Sequence, residues 1–199
     1  MQDIFNQLKN ELNKKIDSLY VNIDGSHLFC QPSHGLISVS RADHKISEED
    51  VNRVLQEARA VSLPLMKEIF DVVPQEFIID NEKGIKEARG LQGVRLEADV
   101  LVLGGFAPYL KNHTQAILNS DLQILDIIPS PVAAAQACLT EKQKELGTAL
   151  VDMGAGTSGL AVFKEGDLIH LAILPMGSAN ITEDIAVGFK TEMDLAERI

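Results

Sequence analysis

The sequence Thr148-Ala-Leu-Val-Asp152-Met-Gly154-Ala-Gly156-Thr157-Ser158, with the apolar run at residues 160–163, decides the fold. An apolar strand leads to Asp152, a glycine-rich turn follows, and a second apolar strand leads away. Because glycine adopts positive φ freely, we expect consecutive N–H groups around Gly154 and Gly156 to converge into an anion-binding nest. Asp152 beside such a nest is placed to hold Mg²⁺ through water. The motif alone is equally consistent with an ordinary β-hairpin.

Composition narrows the classes of partner. The 199 residues are 45% hydrophobic and 24% charged, which is typical of a folded domain, and the formal net charge is −11. A chain this acidic has no net basic charge to attract nucleic acid or anionic lipid, which argues against both partners. The first residues lack the features of a signal peptide, and no apolar run reaches transmembrane length. We therefore predict a cytoplasmic segment with no nucleic-acid partner.

The chain changes its pattern near residue 100. Before that point we predict mostly strands, with one helix over residues 3–16 and another that begins at Ser47 and ends at Pro64. After it, strands and helices alternate, as in an α/β layer. The predicted segments are strands at 18–24, 26–30, 34–40, 66–80 and 94–103, a loop at 81–93, helices at 107–119 and 131–145, strands at 122–128 and 167–174, and helices at 180–188 and from 191.

A second motif follows the hairpin, at Leu174-Pro-Met-Gly177-Ser178-Ala-Asn180-Ile-Thr182. Gly177 lies where a strand gives way to a helix, so free N–H groups of the new helix are expected to face an anion. Thr182 and its acidic neighbours can also serve merely to decorate the start of that helix. Its position directly after the first motif favours a clamp made of two phosphate loops.

At this point the chain resembles the FtsA family of bacterial cell-division proteins, which are actin-like ATP binders. The resemblance extends from end to end, and its most family-specific part is the segment from Pro74 to Glu97. It implies an α/β fold of the actin-like (ribonuclease H-like) ATPase type with an inserted small α+β subdomain of the SHS2 type. By this resemblance, residues 1–16 are the closing helix of the first actin-like subdomain, and residues 17–98 are the insert. Residues 99–146 are then a return to the first subdomain, and residues 147–199 are the first half of the second. The matching segments are 73–80, 84–86, 90–98, 130–134, 139–147, 181–188 and 196–199.

The resemblance also implies a site for ATP and Mg²⁺ in the complete protein, with Asp152 near the metal. In that site the phosphate turn is formed by five consecutive residues, the second loop by two, and Glu197 approaches the ribose. The implied binding residues are Asp152, Gly154, Ala155, Gly156, Thr157, Ser158, Gly177, Ser178 and Glu197.

Two positions depart from the family's pattern. Gly159 stands where the family usually carries an acid, and Ser178 stands where it usually has a second glycine. Both departures argue against efficient hydrolysis, and we expect this segment alone not to be catalytic. The first phosphate loop is expected ahead of residue 1, so the chain is expected to be an internal segment of a longer protein.

The implied function is an ATP-dependent scaffold that assembles into filaments at the septum and tethers FtsZ to the membrane. Its implied partners are FtsZ, other division proteins, further copies of itself and the inner face of the cell membrane, the last through a segment outside this chain. Its implied location is the cytoplasmic side of the division site.

Two alternatives from the same superfamily stay open: a small-molecule kinase and a pilus-assembly adaptor. A kinase needs a positioned base. His27, His34 and His44 are the histidines of the insert, and we expect them to be surface residues without partners. The segment from Pro74 to Glu97 argues against the adaptor.

Overall fold

The computed structural model describes residues 17–120 and 122–199, so the predicted helix over residues 3–16 lies outside the described residues. Within these ranges the helices and strands follow in the order β1 (Ser18–Ile23), β2 (Phe29–Ser38), α1 (Glu48–Arg59), β3 (Lys67–Ile79), β4 (Glu82–Ile85), β5 (Arg95–Phe106), α2 (Ala107–Leu118), β6 (Gln123–Pro129), α3 (Ser130–Cys138), α4 (Glu141–Leu146), β7 (Thr148–Met153), β8 (Ser158–Lys164), β9 (Asp167–Leu174), α5 (Ser178–Phe189) and α6 (Met193–Ala196).

Internal contacts divide the chain into two compact units. Unit 1 lies within residues 1–21 and 30–128, and unit 2 consists of residues 22–29 and 129–199. The subdomain boundaries given above, at 1–16, 17–98, 99–146 and 147–199, remain predictions. None of the helices in the described ranges combines the length and the hydrophobicity that a bilayer crossing requires.

Unit 1 is built on a four-stranded sheet in the order β2-β5-β3-β4. Strands β3 and β5 pair antiparallel along almost their whole length, from Lys67 opposite Phe106 to Ile79 opposite Leu96. Helix α1 covers the sheet, and apolar residues from both sides form one core. The members of this core are Val39, Ile46, Val54, Ala58, Ile69, Phe77, Ile79, Ala88, Leu96, Ala98, Val100 and Val102.

Helix α1 begins where the sequence predicted. The Ser47 hydroxyl accepts from the Asp50 N–H at 3.2 Å, and the Asp50 carboxylate accepts from the Ser47 N–H at 3.0 Å. This reciprocal pair satisfies two backbone donors at the start of the helix. The helix ends earlier than predicted, at Arg59 rather than at Pro64. It packs tightly on β2 at Gly35, where a Cβ would overlap the backbone of α1.

Two prolines lie inside strands, and the structure corrects the predicted segments around the first of them. Residues 29–38 form one strand that contains Pro32, although we predicted two strands with a break there. Because β2 is at the edge of its sheet, a missing N–H donor is tolerated. Pro74 lies in the central strand β3, where the pairing with β5 shifts register between Pro74 and Glu76. The predicted loop at 81–93 also contains the short strand β4.

The expectation that His34 lacks partners is wrong. His34 Nδ1 lies 2.7 Å from Asp99 Oδ1, and His34 Nε2 lies 3.1 Å from Glu97 Oε2. Glu97 is buried on β5, and its second oxygen is 2.9 Å from Arg95 Nε. Since β2 and β5 are neighbours in the sheet, the imidazole connects the edge strand to a buried carboxylate. A single-sequence pattern does not show this because the partners are more than 60 residues apart.

The predicted helix at 107–119 and strand at 122–128 are confirmed as α2 and β6. Strand β6 pairs with β1 in a two-stranded sheet. A small apolar cluster of Val21, Ile117 and Leu122 packs there, with Leu19 and Ile124 partly buried against it. The alternation of strands and helices after residue 100 therefore takes the predicted form.

Unit 2 contains the antiparallel sheet β7-β8-β9, with α3 and α4 packed on it. The single helix predicted at 131–145 is two helices, because Leu139 is extended and Thr140 begins α4 with its own capping pair to Gln143. Lys144 is buried, and its ammonium donates to Gln136 Oε1 at 2.8 Å and to Glu141 Oε1 at 3.0 Å. The ammonium thereby joins the two helices.

Candidate functional site

The first motif forms the predicted strand–turn–strand. Strands β7 and β8 pair in register from Thr148 opposite Phe163 to Met153 opposite Ser158, and residues 154–157 connect them. The Gly154 N–H donates to the Thr157 carbonyl oxygen at 2.9 Å, which closes the turn. The motif thus forms a tight hairpin, and the question is what its remaining groups can bind.

The expected source of the anion nest is wrong in one respect. Neither Gly154 nor Gly156 has positive φ, so the turn does not use the left-handed conformation that we predicted. Space at Gly154 is instead tight, because a Cβ there would lie 3.3 Å from the Thr157 carbonyl oxygen. A Cβ at Gly156 would meet no atom within 4 Å. The two glycines therefore have different tolerance for substitution.

Three consecutive amides of the turn remain open. In the part of the chain that the structure describes, no acceptor lies at the N–H groups of Ala155, Gly156 and Thr157. Ala155 and Gly156 are exposed, and Thr157 is half-buried. Backbone donors without an acceptor, in series at a turn, are suited to an anion with several oxygens, such as a phosphate.

The structure brings the second motif directly onto the first. The Ser178 N–H donates to the Gly154 carbonyl at 2.9 Å, and the Ala179 N–H donates to the Ala155 carbonyl at 2.9 Å. Gly177 is buried between them, and a Cβ there would overlap both carbonyl oxygens. The φ of Gly177 is −151°, which any residue adopts, so close approach rather than conformation requires glycine here.

The free helix N–H groups expected after Gly177 are already occupied. Besides the bonds of Ser178 and Ala179, the Gly177 N–H donates to Asn180 Oδ1 at 2.9 Å, and the Asn180 N–H donates to the Gly177 carbonyl at 3.1 Å. The first N–H groups of α5 therefore hydrogen-bond to the carbonyl groups of the hairpin turn. In this arrangement these amides support the turn and are not donors to an anion.

The hydroxyl of Ser158 is also used within the protein. It donates to the Met176 carbonyl at 2.7 Å, which ties the first residue of β8 to the loop before α5. Glu197 is exposed at the end of the short helix α6, which packs on α5. The described contacts thus unite residues 154–158 with Gly177 and Ser178, and they do not bring Glu197 to this cluster.

Asp152 lies on the last part of β7, two residues before the turn. It is paired with Gly159, so both residues share the face of the sheet that packs on α3. Its carboxylate is half-buried, and within residues 17–120 and 122–199 it has no hydrogen-bond or ionic partner. No group of three or more potential ligands for a metal occurs in those ranges. One free carboxylate fits Mg²⁺, which keeps most of its waters.

Gly159 shows why an acid is missing after the turn. A Cβ at Gly159 would overlap Pro131 Cγ on α3, and Pro131 is itself buried. In this packing the position therefore has no space for an aspartate. The departure noted from the sequence is a property of how β8 meets α3.

Sequence analysis missed one residue of the cluster, Asp24. The Thr157 hydroxyl donates to Asp24 Oδ2 at 2.8 Å, across 133 residues of sequence. Both residues belong to unit 2. Asp24 lies at the end of the predicted strand 18–24, and nothing in a local pattern indicates its contact with the turn.

Comparison with known proteins first identifies the structural class of the chain. A solved chain described as "PilM-PilN type IV pilus biogenesis complex" superposes with a TM-score of 0.64 at 16% identity, covering 99% of this chain and 54% of that one. A sequence model described as "SHS2 domain inserted in FTSA" matches residues 25–103. The fold is therefore of the actin-like ATPase type and carries an inserted SHS2 domain.

The relatives identify the family. The model described as "Cell division protein FtsA" matches residues 149–199. The chain is 34% identical over 195 residues to the cell division protein FtsA of Bacillus subtilis and 37% identical over 185 residues to that of Pseudomonas aeruginosa. These alignments cover 98% and 93% of this chain and 44% of each relative. The chain belongs to the FtsA family of cell division proteins and spans less than half the length of these relatives.

Proposed function

We propose that this chain supplies one side of a phosphate clamp for MgATP in an actin-like cell-division scaffold. The observation that carries the proposal is the series of three amides at residues 155–157, on the same hairpin as the carboxylate of Asp152, with none of these groups partnered within the described residues. A polyphosphate needs such donors, and its divalent cation needs an oxygen ligand. Membership in the FtsA family supports the same function.

The residues divide into two roles in this proposal. The amides of Ala155, Gly156 and Thr157 bind phosphate oxygens, and Asp152 holds Mg²⁺ through water. Gly154, Ser158, Gly177 and Ser178 keep the turn in place, since their own polar groups are bonded within the protein. Glu197 is proposed to approach the ribose on the basis of the resemblance alone.

We infer that the nucleotide acts as a conformational switch. When bound, the cation would neutralise charge at the phosphates, and the chain would supply backbone donors that the fold already positions. Gly159 leaves no side chain on β8 to act as an acid or base next to the turn, which argues against fast hydrolysis. Differential binding of ATP between subdomain arrangements is sufficient for a switch.

The partners follow from family membership and are proposals for this chain. They are the FtsZ ring, other division proteins, further copies in a filament, and the inner face of the cell membrane at the septum, reached through a segment outside these 199 residues. The −11 charge is consistent with a membrane contact made by some other, less acidic segment.

The test uses a full-length protein that carries these residues. Asp152→Ala is expected to weaken MgATP binding by about tenfold or more while metal-free ATP binding does not weaken, because the carboxylate acts through the cation. Fluorescent-ATP titration with and without Mg²⁺ measures this. A normal melting curve of the Asp152→Ala variant shows that it is folded, so that a loss of affinity is not a loss of structure. An unchanged affinity for MgATP would overturn the assignment.

The kinase alternative has less support. Both ring nitrogens of His34 are engaged by carboxylates, so neither is available to accept a proton from a substrate. The likeness to the pilus protein PilM is at 16% identity and therefore concerns the fold alone. Phosphorylation of a small acceptor by the full-length protein would nevertheless favour the kinase.

A further inference from the structure

Asp24 lies at the turn in a fixed position. The side chain of Asn22 donates to the Ser130 hydroxyl at 2.9 Å, and that hydroxyl lies 3.3 Å from the Ile23 carbonyl oxygen. The Leu28 N–H donates to the Gly25 carbonyl at 3.0 Å and closes the turn that follows. Hydrogen bonds of the residues on both sides of Asp24 therefore fix its position. Its contact with Thr157 is a defined feature of the fold rather than a chance approach of a long loop.

The contact has a chemical consequence for any anion that binds the turn. A threonine hydroxyl carries one proton, so Thr157 can donate to Asp24 or to a ligand oxygen but not to both. The present acceptor is a carboxylate oxygen, which has the same charge character as a phosphate oxygen. Asp24 is exposed, and its negative charge lies within hydrogen-bond distance of a residue that also offers one of the three open amides.

We propose that Asp24 is an intramolecular competitor for the anion at this turn, and that it makes phosphate binding depend on a divalent cation. Without a cation, an incoming polyphosphate has to displace the carboxylate from Thr157 and is repelled by its charge. With a cation present, the charge of Asp24 is offset and the penalty falls. This inference rests on the proposed anion-binding role of the turn and adds a determinant of its selectivity: the turn discriminates metal-bound from metal-free phosphate chains.

The experiment uses the 199-residue chain and inorganic tripolyphosphate as the probe. Backbone amide shifts of residues 155–157 are followed by NMR, with EDTA or with Mg²⁺. Asp24→Asn keeps an acceptor oxygen and removes the charge, and we expect it to tighten metal-free binding by about five- to tenfold. In Mg²⁺ we expect a difference between the two proteins of about twofold or less.

Two further variants separate charge from hydrogen bonding. Thr157→Val removes the donor and should weaken tripolyphosphate binding by about tenfold, whereas Thr157→Ser should restore it. Glu165→Gln is the matched control, since it removes one charge at the far end of β8 from the turn. It should leave the metal-free affinity unchanged.

Every outcome decides the proposal. Metal-free binding that is equal or weaker in Asp24→Asn overturns it and makes Asp24 a support for the turn instead. If the wild-type chain shows no metal-free binding, Asp24→Asn must show it. The absence of metal-free binding in both proteins also overturns the proposal. If Asp24→Asn tightens tripolyphosphate binding but MgATP binds no better than tripolyphosphate, the competitor role stands and the nucleotide function fails.

Discussion

The N–H of Ser178 donates to the carbonyl oxygen of Gly154 at 2.9 Å, and this bond joins the two motifs that the sequence presents separately. The second motif does not form a second set of ligands in this structure. It supports the turn of the first. Of the two loops predicted to form a clamp, the second therefore supports the first.

The glycines of this joint provide the first prediction. Gly177→Ala should lower the free energy of unfolding by about 2–3 kcal/mol, because its Cβ overlaps the carbonyl oxygens of Gly154 and Ala155. Gly156→Ala is the control, since its Cβ meets nothing and its φ is not positive. It should change stability by less than about 0.5 kcal/mol. Urea denaturation measures both, and equal effects would contradict the proposed joint.

The second prediction concerns Gly159 and Pro131. Gly159→Asp should destabilise the chain by about 2–3 kcal/mol, because the new side chain overlaps Pro131. In a Pro131→Ala background the additional cost of Gly159→Asp should fall to about half or less, since the overlapping ring atoms are gone. Thermal denaturation of the four proteins in this cycle provides the coupling. Additive costs would show that α3 does not exclude an acid at this position.

The third prediction is a dependence on pH at the start of α1. The pKa of Asp50 is lowered from its ordinary value of 3.8, first because the Ser47 hydroxyl donates to its carboxylate and then because the Ser47 N–H does. The folded pKa lies below the unfolded one, so the stabilisation is complete above about pH 5 and is lost as the pH falls through the folded pKa. Asp50→Asn should therefore differ from the wild type at pH 7 and converge with it in acid. Urea midpoints from pH 7 to pH 2.5 test this.

Ser47→Ala is the matched variant for that experiment. It removes the hydroxyl that both accepts from the helix and donates to Asp50, and it should cost about 1 kcal/mol at pH 7. Its stability should decline less steeply in acid than that of the wild type, because less of the shift in the pKa of Asp50 remains. Parallel acid curves for the two proteins would contradict the assigned cause.

The fourth prediction concerns His34. His34→Ala should destabilise unit 1 by about 1 kcal/mol. The substitution leaves the buried Glu97 with Arg95 as its remaining ionic partner, whereas the exposed half of the imidazole contributes little to stability. Asp99→Asn, which alters the more exposed carboxylate, should cost less. Denaturation monitored through hydrogen exchange of the β5 amides measures the effects of both substitutions. A larger effect from Asp99→Asn would place the stabilising contact on the other side of the ring.

Local patterns were sufficient for much of the fold. Apolar runs on either side of the glycine-rich turn predicted β7 and β8, and the capping residue Ser47 predicted the start of α1. Leu139 shows where such reasoning stops, because an apolar residue inside a helical pattern is extended here and separates two helices. That choice depends on the competing cap at Thr140, which the pattern of apolar positions does not include.

The site was predictable in its sequence position but not in its chemistry. Glycine at residues 154 and 156 correctly indicated the turn, yet the turn is held by close contact with Gly177 rather than by positive φ. The contact of Asp24 with Thr157 joins residues 133 positions apart and is fixed by packing in unit 2. Such pairings depend on tertiary structure, and a single sequence contains no periodic signal for them.

The bonds from α5 to the turn also change the donors on its outer side. Each carbonyl that accepts from Ser178 or Ala179 belongs to a peptide unit whose other end is the N–H of Ala155 or Gly156. A hydrogen bond to the oxygen of a peptide group polarises that group and makes its N–H a stronger donor, by roughly 10–30% in condensed phases. The partial positive charge at the start of the helix is thus relayed through two peptide bonds to amides that it does not touch. Helix α5 thereby strengthens two donors of the turn, although its own first N–H groups are already bonded to the turn carbonyls.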